Sequence, residues 1–142
     1  MKRILLTGAC GQIGTELTIA LRNRYGTDQV MATDVKENPS EEMQQGPYAR
    51  LDCTDYRALE ATVNHFHADT VFHLAAILSA KAEEDPQKAW NININGLYNI
   101  LELARRHKLA VFTPSSIGAF GASTPSSNTP QDTIQRPSTM YG

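Results

Sequence analysis

Short apolar runs alternate along the chain with longer segments in which apolar residues recur every three or four positions. Ile4-Leu5-Leu6 is the first run, and the helical pattern of Ile13, Leu17, Ala20 and Leu21 follows it to about Arg24, where Gly26 stops it. Residues 29–34 predict a second strand, ending on Asp34. Residues 38–47 are polar, carry Pro39, Gly46 and Pro47, and predict a surface loop. Ala49-Arg50-Leu51 predicts a brief third strand. Thr54 or Asp55 then caps a helix with Leu59, Val63 and Phe66 on one face. Residues 70–74 predict a fourth strand, and Asp85-Pro86 opens a long helix reaching about His107. Its stripe of Ile94, Leu97, Leu101 and Ala104, widened by Trp90 and Tyr98, is expected to be mostly core, with a partner subunit as a further use of so apolar a helix. Residues 110–113 predict the fifth strand. The whole is an α/β chain: one domain over residues 1–142, with a doubly wound parallel sheet of order 3-2-1-4-5 between two layers of helices.

The first strand breaks at Gly8, and Gly11 and Gly14 follow at three-residue spacing before the helix. Such a turn puts bare backbone N–H groups and the positive end of a helix dipole where an anion can sit. A strand-turn-helix without a ligand uses glycines in the same way. Asp34 falls twenty residues after Gly14, where a dinucleotide-binding unit places the carboxylate that holds the ribose hydroxyls and repels a 2′-phosphate. A strand-end Asp capping a turn is the bland alternative; strand, glycines and helix together favour the ribose. Ala75-Ala76 after the fourth strand suits either close ligand approach or simple packing. Ligands of such sheets bind at the switch point outside strands one and four, where the glycine turn, Ala75-Ala76 and Ser115-Ser116 converge. After Gly118 the hydrophobic period is lost among Ser, Thr and Pro residues, the composition of either a linker or an active-site loop.

Composition narrows the function classes. The chain has 142 residues, 41% hydrophobic and 20% charged, with a net charge of −2. That balance offers nucleic acid or an anionic membrane no electrostatic attraction, and no run approaches membrane-spanning length. The two cysteines, Cys10 and Cys53, and the four histidines stand at no metal-ligand spacing, so neither a metal nor a disulfide framework is expected, and the default compartment is cytoplasmic.

Thr7-Gly8-Ala9-Cys10-Gly11-Gln12-Ile13-Gly14 resembles the TGxxGxxG fingerprint of the short-chain dehydrogenase/reductase superfamily, in its extended, NAD-dependent epimerase/dehydratase branch. Asp34, Leu51-Asp52, His73-Leu74-Ala75-Ala76, Asn95, Ser115-Ser116 and Tyr141 follow in that family's order. Two segments, Pro114-Ser115-Ser116-Ile117-Gly118-Ala119-Phe120-Gly121 and Asp132-Thr133-Ile134-Gln135-Arg136-Pro137-Ser138-Thr139-Met140-Tyr141-Gly142, are more narrowly similar to the extended L-threonine 3-dehydrogenases.

The resemblance implies a Rossmann-type NAD site. Gly8, Gly11, Gln12, Ile13 and Gly14 would hold the pyrophosphate, Asp34 the ribose, and Asp52 with Leu51 the adenine. Leu74, Ala75 and Ala76 would border the cofactor, Asn95 and Ser115 would help to organise its site, and Ser79 would lie near the nicotinamide or substrate. Ser116 and Tyr141 take the places of the catalytic serine and tyrosine, with residues 118–142 as the active-site loop. The implied reaction is oxidation of the L-threonine side-chain hydroxyl to 2-amino-3-oxobutanoate, in a family whose full-length members are homodimers. Nucleotide-sugar epimerase or dehydratase chemistry, and a non-catalytic NAD-binding fragment, are the alternatives. The family's lysine, four residues after the tyrosine, would stand at position 145. A truncated enzyme that binds NAD without turning over threonine is therefore the expectation for residues 1–142 alone.

Overall fold

The structure, a computed structural model, describes residues 2–142; Met1, which the sequence reading includes in the domain, lies outside them. Strand β1 (Ile4–Thr7) has every side chain buried, as a central parallel strand covered on both faces must. Helix α1 (Gln12–Tyr25) returns the chain to β2 (Val30–Asp34), and β3 (Tyr48–Arg50) follows after a short helix, α2 (Glu41–Gln44). Helix α3 (Tyr56–Phe66) leads to β4 (Thr70–His73). Then come α4 (Ser79–Glu84), α5 (Pro86–Trp90), a π turn (Asn91–Asn95), α6 (Gly96–His107) and β5 (Ala110–Phe112). All pairings are parallel, in the order β3-β2-β1-β4-β5. Thr7 sits level with Thr33 on one side and His73 on the other. This is a Rossmann-like α/β fold, as the strand pattern predicts.

Successive residues of β1 feed opposite cores, because side chains alternate across a sheet. Leu5 packs with Leu59, Val63, Phe66, Ile100 and Leu103 beneath α3 and α6. Ile4 and Leu6 pack with Leu21, Val30, Ala32 and Met43 beneath α1 and α2. Met43 is fully buried, so the segment read as a surface loop instead seals one edge of the core.

Two helices bury faces other than those their apolar periodicity suggests. In α1 the buried positions are Gly14, Thr18, Leu21 and Arg22, while Ile13 is exposed. The close approach of this helix to the β1 turn excludes large side chains, so small ones fill the contact. Thr18 makes its burial tolerable by donating its hydroxyl to the Gly14 carbonyl at 2.7 Å. In the α5–α6 segment the predicted core stripe is corrected: Trp90, Ile94, Tyr98 and Leu101 are exposed, and Ala89, Gly96, Ile100 and Leu103 face the sheet. Gly96 leads that face because a Cβ there would lie 2.7 Å from the Cys53 sulfur. The helix can therefore seat directly on the turn after β3.

Arg22 is 6% exposed and has no carboxylate among its hydrogen-bond partners. Its guanidinium donates instead to the backbone carbonyls of Glu42 (2.9 Å), Met43 (3.1 Å) and Pro47 (2.8 Å). It thereby clamps the β2–β3 connection onto α1 and satisfies the end of α2. Arg22→Leu is expected to lower the urea-unfolding free energy by about 1–3 kcal/mol, since it removes three charge-assisted bonds and leaves the buried Met43 carbonyl without this donor. An unchanged midpoint would show that the clamp carries no stability.

Candidate functional site

A cavity of about 890 Å³ opens at the carboxyl ends of β1, β2 and β4, within the size range of cofactor pockets. The β1 turn forms its base. Gly8 has φ +72°, a left-handed value that disfavours side chains, and a Cβ there would lie 2.6 Å from the Ala75 nitrogen. A Cβ on Gly14 would strike the Gly8 carbonyl oxygen. Gly8 is thus pressed between the segment after β4 and the first turn of α1. Gly11 is the N-cap of α1 and supplies no capping side chain. The first N–H groups of this helix, at Gln12, Ile13 and Gly14, have no partner within it. A bare positive helix end next to a glycine floor suits an anionic group.

Asp34 closes β2 at the cavity wall. Its carboxylate accepts from the Cys10 N–H at 2.9 Å and from the Lys36 N–H at 3.3 Å, so the glycine turn itself aims it. Burial pushes the Cys10 thiol up, and the uncharged sulfur donates to the Tyr48 hydroxyl at 3.8 Å. The thiol therefore stays uncharged beside the glycine turn. Leu51, Asp52 and Cys53 line the far end. Asn99 on α6 holds that turn by donating to the carbonyls of Cys53 (3.0 Å) and Thr54 (3.1 Å).

Of the residues singled out in the sequence, Gly8, Gly11, Asp34, Leu51, Asp52, Leu74, Ala75, Ala76 and Ser79 meet at this cavity. Gln12 and Ile13 line a separate surface groove along α1. Gly14 acts through its packing on Gly8. Asn95 is not brought to the wall: it is exposed and donates to the Asn91 side chain at 2.9 Å. Val35, Ile77, Ile92 and Lys81 also line the cavity. The first three are apolar types with no chemical signal, Lys81 is a lone charge in no recognisable pattern, and the run Asn91-Ile92-Asn93-Ile94-Asn95 inside a helix was the only clue to the π turn.

Ser115, Ser116 and Tyr141 stand beyond the end of β5, outside the cavity wall. Ser116 accepts the Gly118 N–H at 3.1 Å and caps a 3-10 turn (Ile117–Ala119), which leaves its own hydroxyl proton free to donate. A Cβ on Gly118 would lie 3.1 Å from the Tyr141 ring and 3.3 Å from Ser116 Oγ. Glycine at 118 is what lets that ring and that hydroxyl share one spot. The Tyr141 N–H is tied to Glu83 of α4 at 3.1 Å, and Lys81 and Glu84 of the same helix line the cavity. Among the described residues no cluster of His, Cys, Asp or Glu could hold a metal, and no helix is long and apolar enough to cross a membrane.

Residues 4–142 match the NAD dependent epimerase/dehydratase family. The chain belongs to that family. An uncharacterised epimerase/dehydratase of Staphylococcus epidermidis is 59% identical over 143 residues, a span that covers 100% of this chain and 45% of that relative. The L-threonine dehydrogenase of Clostridium difficile superposes with a TM-score of 0.97 at 50% identity, over 100% of this chain and 45% of that one. The UDP-glucose 4-epimerase of Thermus thermophilus, solved with NAD, superposes with a TM-score of 0.84 at 28% identity, over 98% of this chain and 46% of that one. The chain spans about half the length of these relatives. NAD is the family's cofactor, and the glycine floor, bare helix end and aimed carboxylate fit it.

His73, level with Thr7 across the sheet, is 4% exposed, and its Nδ1 lies 2.7 Å from the Thr7 hydroxyl. Burial pulls its pKa down to about 4, below the ordinary value of about 6.5. As pH falls, the unfolded chain takes up this proton first. The stability held above pH 6.5 is therefore lost progressively toward pH 4. Between pH 7 and pH 5 the unfolding free energy is expected to drop by roughly 2 kcal/mol through this group. His73→Gln should flatten the profile in that window, and equal drops in both proteins would refute the assignment.

Proposed function

We propose that this chain is the cofactor-binding portion of an NAD-dependent dehydrogenase that oxidises the side-chain hydroxyl of L-threonine to 2-amino-3-oxobutanoate. The observation that carries the reading is the packing of Ser116 and Tyr141 around Gly118 beyond the end of β5. It occurs in a chain half identical, over its whole length, to a threonine dehydrogenase. The lower likeness to a UDP-glucose epimerase makes nucleotide-sugar chemistry the second reading.

In this reading the N–H groups around Gly8, Gly11, Gln12, Ile13 and Gly14 hold the pyrophosphate, and Asp34 accepts from the adenosine ribose. Its charge, already aimed by the Cys10 N–H, repels a 2′-phosphate and so selects NAD over NADP. Asp52 and Leu51 take the adenine end. Leu74, Ala75 and Ala76 leave room for the cofactor against the sheet edge, with Ser115 and Asn95 as outer supports and Ser79 toward the substrate. Bound NAD supplies the hydride acceptor. Ser116 donates its free proton to the reacting oxygen and holds it in line, and Tyr141 as phenolate removes the hydroxyl proton. A phenol ordinarily ionises near pH 10, so this role needs a cation beside it; the resemblance places a lysine four residues on. The exposed face of Trp90, Ile94, Tyr98 and Leu101 fits the homodimer implied for the longer proteins.

Titration calorimetry of residues 1–142 is expected to detect NAD binding. Asp34→Ala should weaken it by about 10- to 100-fold, the worth of charge-assisted hydrogen bonds, and erase the preference over NADP. The chemistry is tested in a chimera joining residues 1–142 to the remainder of the C. difficile enzyme. That protein should form NADH from L-threonine, and Tyr141→Phe should cut kcat by about 10²–10⁴ while leaving NAD binding intact. Turnover of UDP-glucose in place of threonine would favour the second reading.

A further inference from the structure

We infer that Glu83 is a positioning residue for Tyr141: from α4, its carboxylate holds the tyrosine's backbone and so sets the ring's place relative to the NAD cavity. The inference rests on the dehydrogenase reading of Ser116 and Tyr141.

Residues 114–142 hydrogen-bond mostly among themselves. The Phe120 N–H donates to the Ile117 carbonyl, the Thr124 N–H to the Gly121 carbonyl, and the Gly142 N–H to the Thr139 hydroxyl. Among the described residues, a single hydrogen bond joins this span to the elements before it. It runs from the Tyr141 N–H to Glu83 Oε1 at 3.1 Å. Packing closes the span on itself at the same place. A Cβ on Gly142 would strike the Gly118 carbonyl oxygen, and one on Gly118 would lie 3.1 Å from the Tyr141 ring. These contacts set Tyr141 against Ser116, but they do not fix how the pair stands to the cavity. The bond to Glu83 supplies that reference.

Helix α4 is a firm post for it. Ala82 is fully buried, and its N–H donates to the Leu78 carbonyl at 3.2 Å. Asp85 ends the helix and caps α5 by accepting the Lys88 N–H at 3.0 Å. Lys81 and Glu84, three apart and so on one face, line the cavity with Ser79. Glu83 is not part of that wall, and among the described residues it makes no ion pair. A carboxylate that accepts a backbone N–H forms a charge-assisted bond, roughly twice as strong as a neutral one. It fixes the main chain from which the phenol hangs and leaves the phenol oxygen out of the bond. Hydride and proton leave adjacent atoms of one substrate, so cofactor and phenol must keep a fixed separation. One short helix carries both the cavity wall and the tether of the tyrosine.

Glu83→Ala removes the acceptor, whereas Glu83→Gln keeps an acceptor oxygen without the charge. In residues 1–142, hydrogen exchange at the Tyr141 amide is expected to be slow in the parent and in Glu83→Gln, and fast in Glu83→Ala. Leu6 and Val71 in the central strands should stay as protected as before. In the chimera with the remainder of the C. difficile enzyme, Glu83→Ala should cut kcat about 10- to 100-fold, the cost of a misplaced catalytic group. The KM for NAD should be unaltered, and Glu83→Gln should recover most of the rate. An unaltered kcat for Glu83→Ala in an active chimera overturns this inference and leaves the dehydrogenase reading standing. A Gln variant as slow as the Ala variant also overturns it, because the charge then matters and the hold on Tyr141 does not. Faster exchange at Leu6 and Val71 overturns it too, since the residue then serves global stability alone. A chimera that binds NAD but forms no NADH from threonine overturns the reading and this inference together.

Discussion

Gly8 is the point at which the fold has no spare volume. Its carbonyl lies against the α carbon of Gly14, and its own α carbon lies against the peptide joining Leu74 to Ala75. Strand β1, the first turn of α1 and the segment after β4 therefore meet at backbone distance, with no side chain between them. The contact sets where α1 can start and how near the β4 segment passes to the turn. It also explains why small residues line the approach on every side: Gly8, Ala9, Gly11, Gly14, Ala75 and Ala76. A bulkier residue at any contact face would push the elements apart and open the floor that a ligand would rest on.

The remaining walls are irregular segments, and each has its backbone satisfied by a particular polar side chain. Asp34 takes the Cys10 N–H, Asn99 takes two carbonyls of the turn after β3, and Asn93 takes both polar groups of Ile77. Irregular backbone at a cavity edge would otherwise leave donors and acceptors half-hydrated, at a cost comparable to a lost hydrogen bond each. Two of these side chains come from one helical segment, interrupted by the π turn, so the spacing between the wall after β3 and the wall after β4 is fixed by a single rigid element. The exposed apolar face of the same segment is separate from that role, since Trp90 and Tyr98 point away from the sheet.

Much of this was legible in the sequence. The strand order followed from five short apolar runs separated by helical segments, and the place of the cavity from Gly8, Gly11 and Asp34. What escaped prediction shares one physical cause. Periodicity reports apolarity, and the closest contacts here use small or polar residues instead. Thr18 and Arg22 are buried where the pattern favours Ile13 and Leu17. Gly96 leads the inner face of α6 where the pattern favours Leu97 and Leu101. Helix α4 is too short to generate a period, and the π turn breaks the one it interrupts. Asn95 drew notice through family resemblance, while the asparagine that hydrogen-bonds a wall residue, Ile77, is two positions earlier, an outcome set by how the π turn rotates the chain.

Arg22 has one consequence for how such a chain can diverge. Its three partners are main-chain carbonyls, which every residue type supplies. The clamp therefore recognises the path of the β2–β3 connection and is indifferent to most of its side chains. Glu41, Glu42, Gln44 and Gln45 can be exchanged without loosening it. Met43 is bound by the core it fills, and Gly46 by the guanidinium packed against it, where a Cβ would lie 2.9 Å from Cζ. Among relatives, that segment is expected to drift in sequence around a conserved trace, with the arginine, the buried apolar residue and the glycine changing together or not at all.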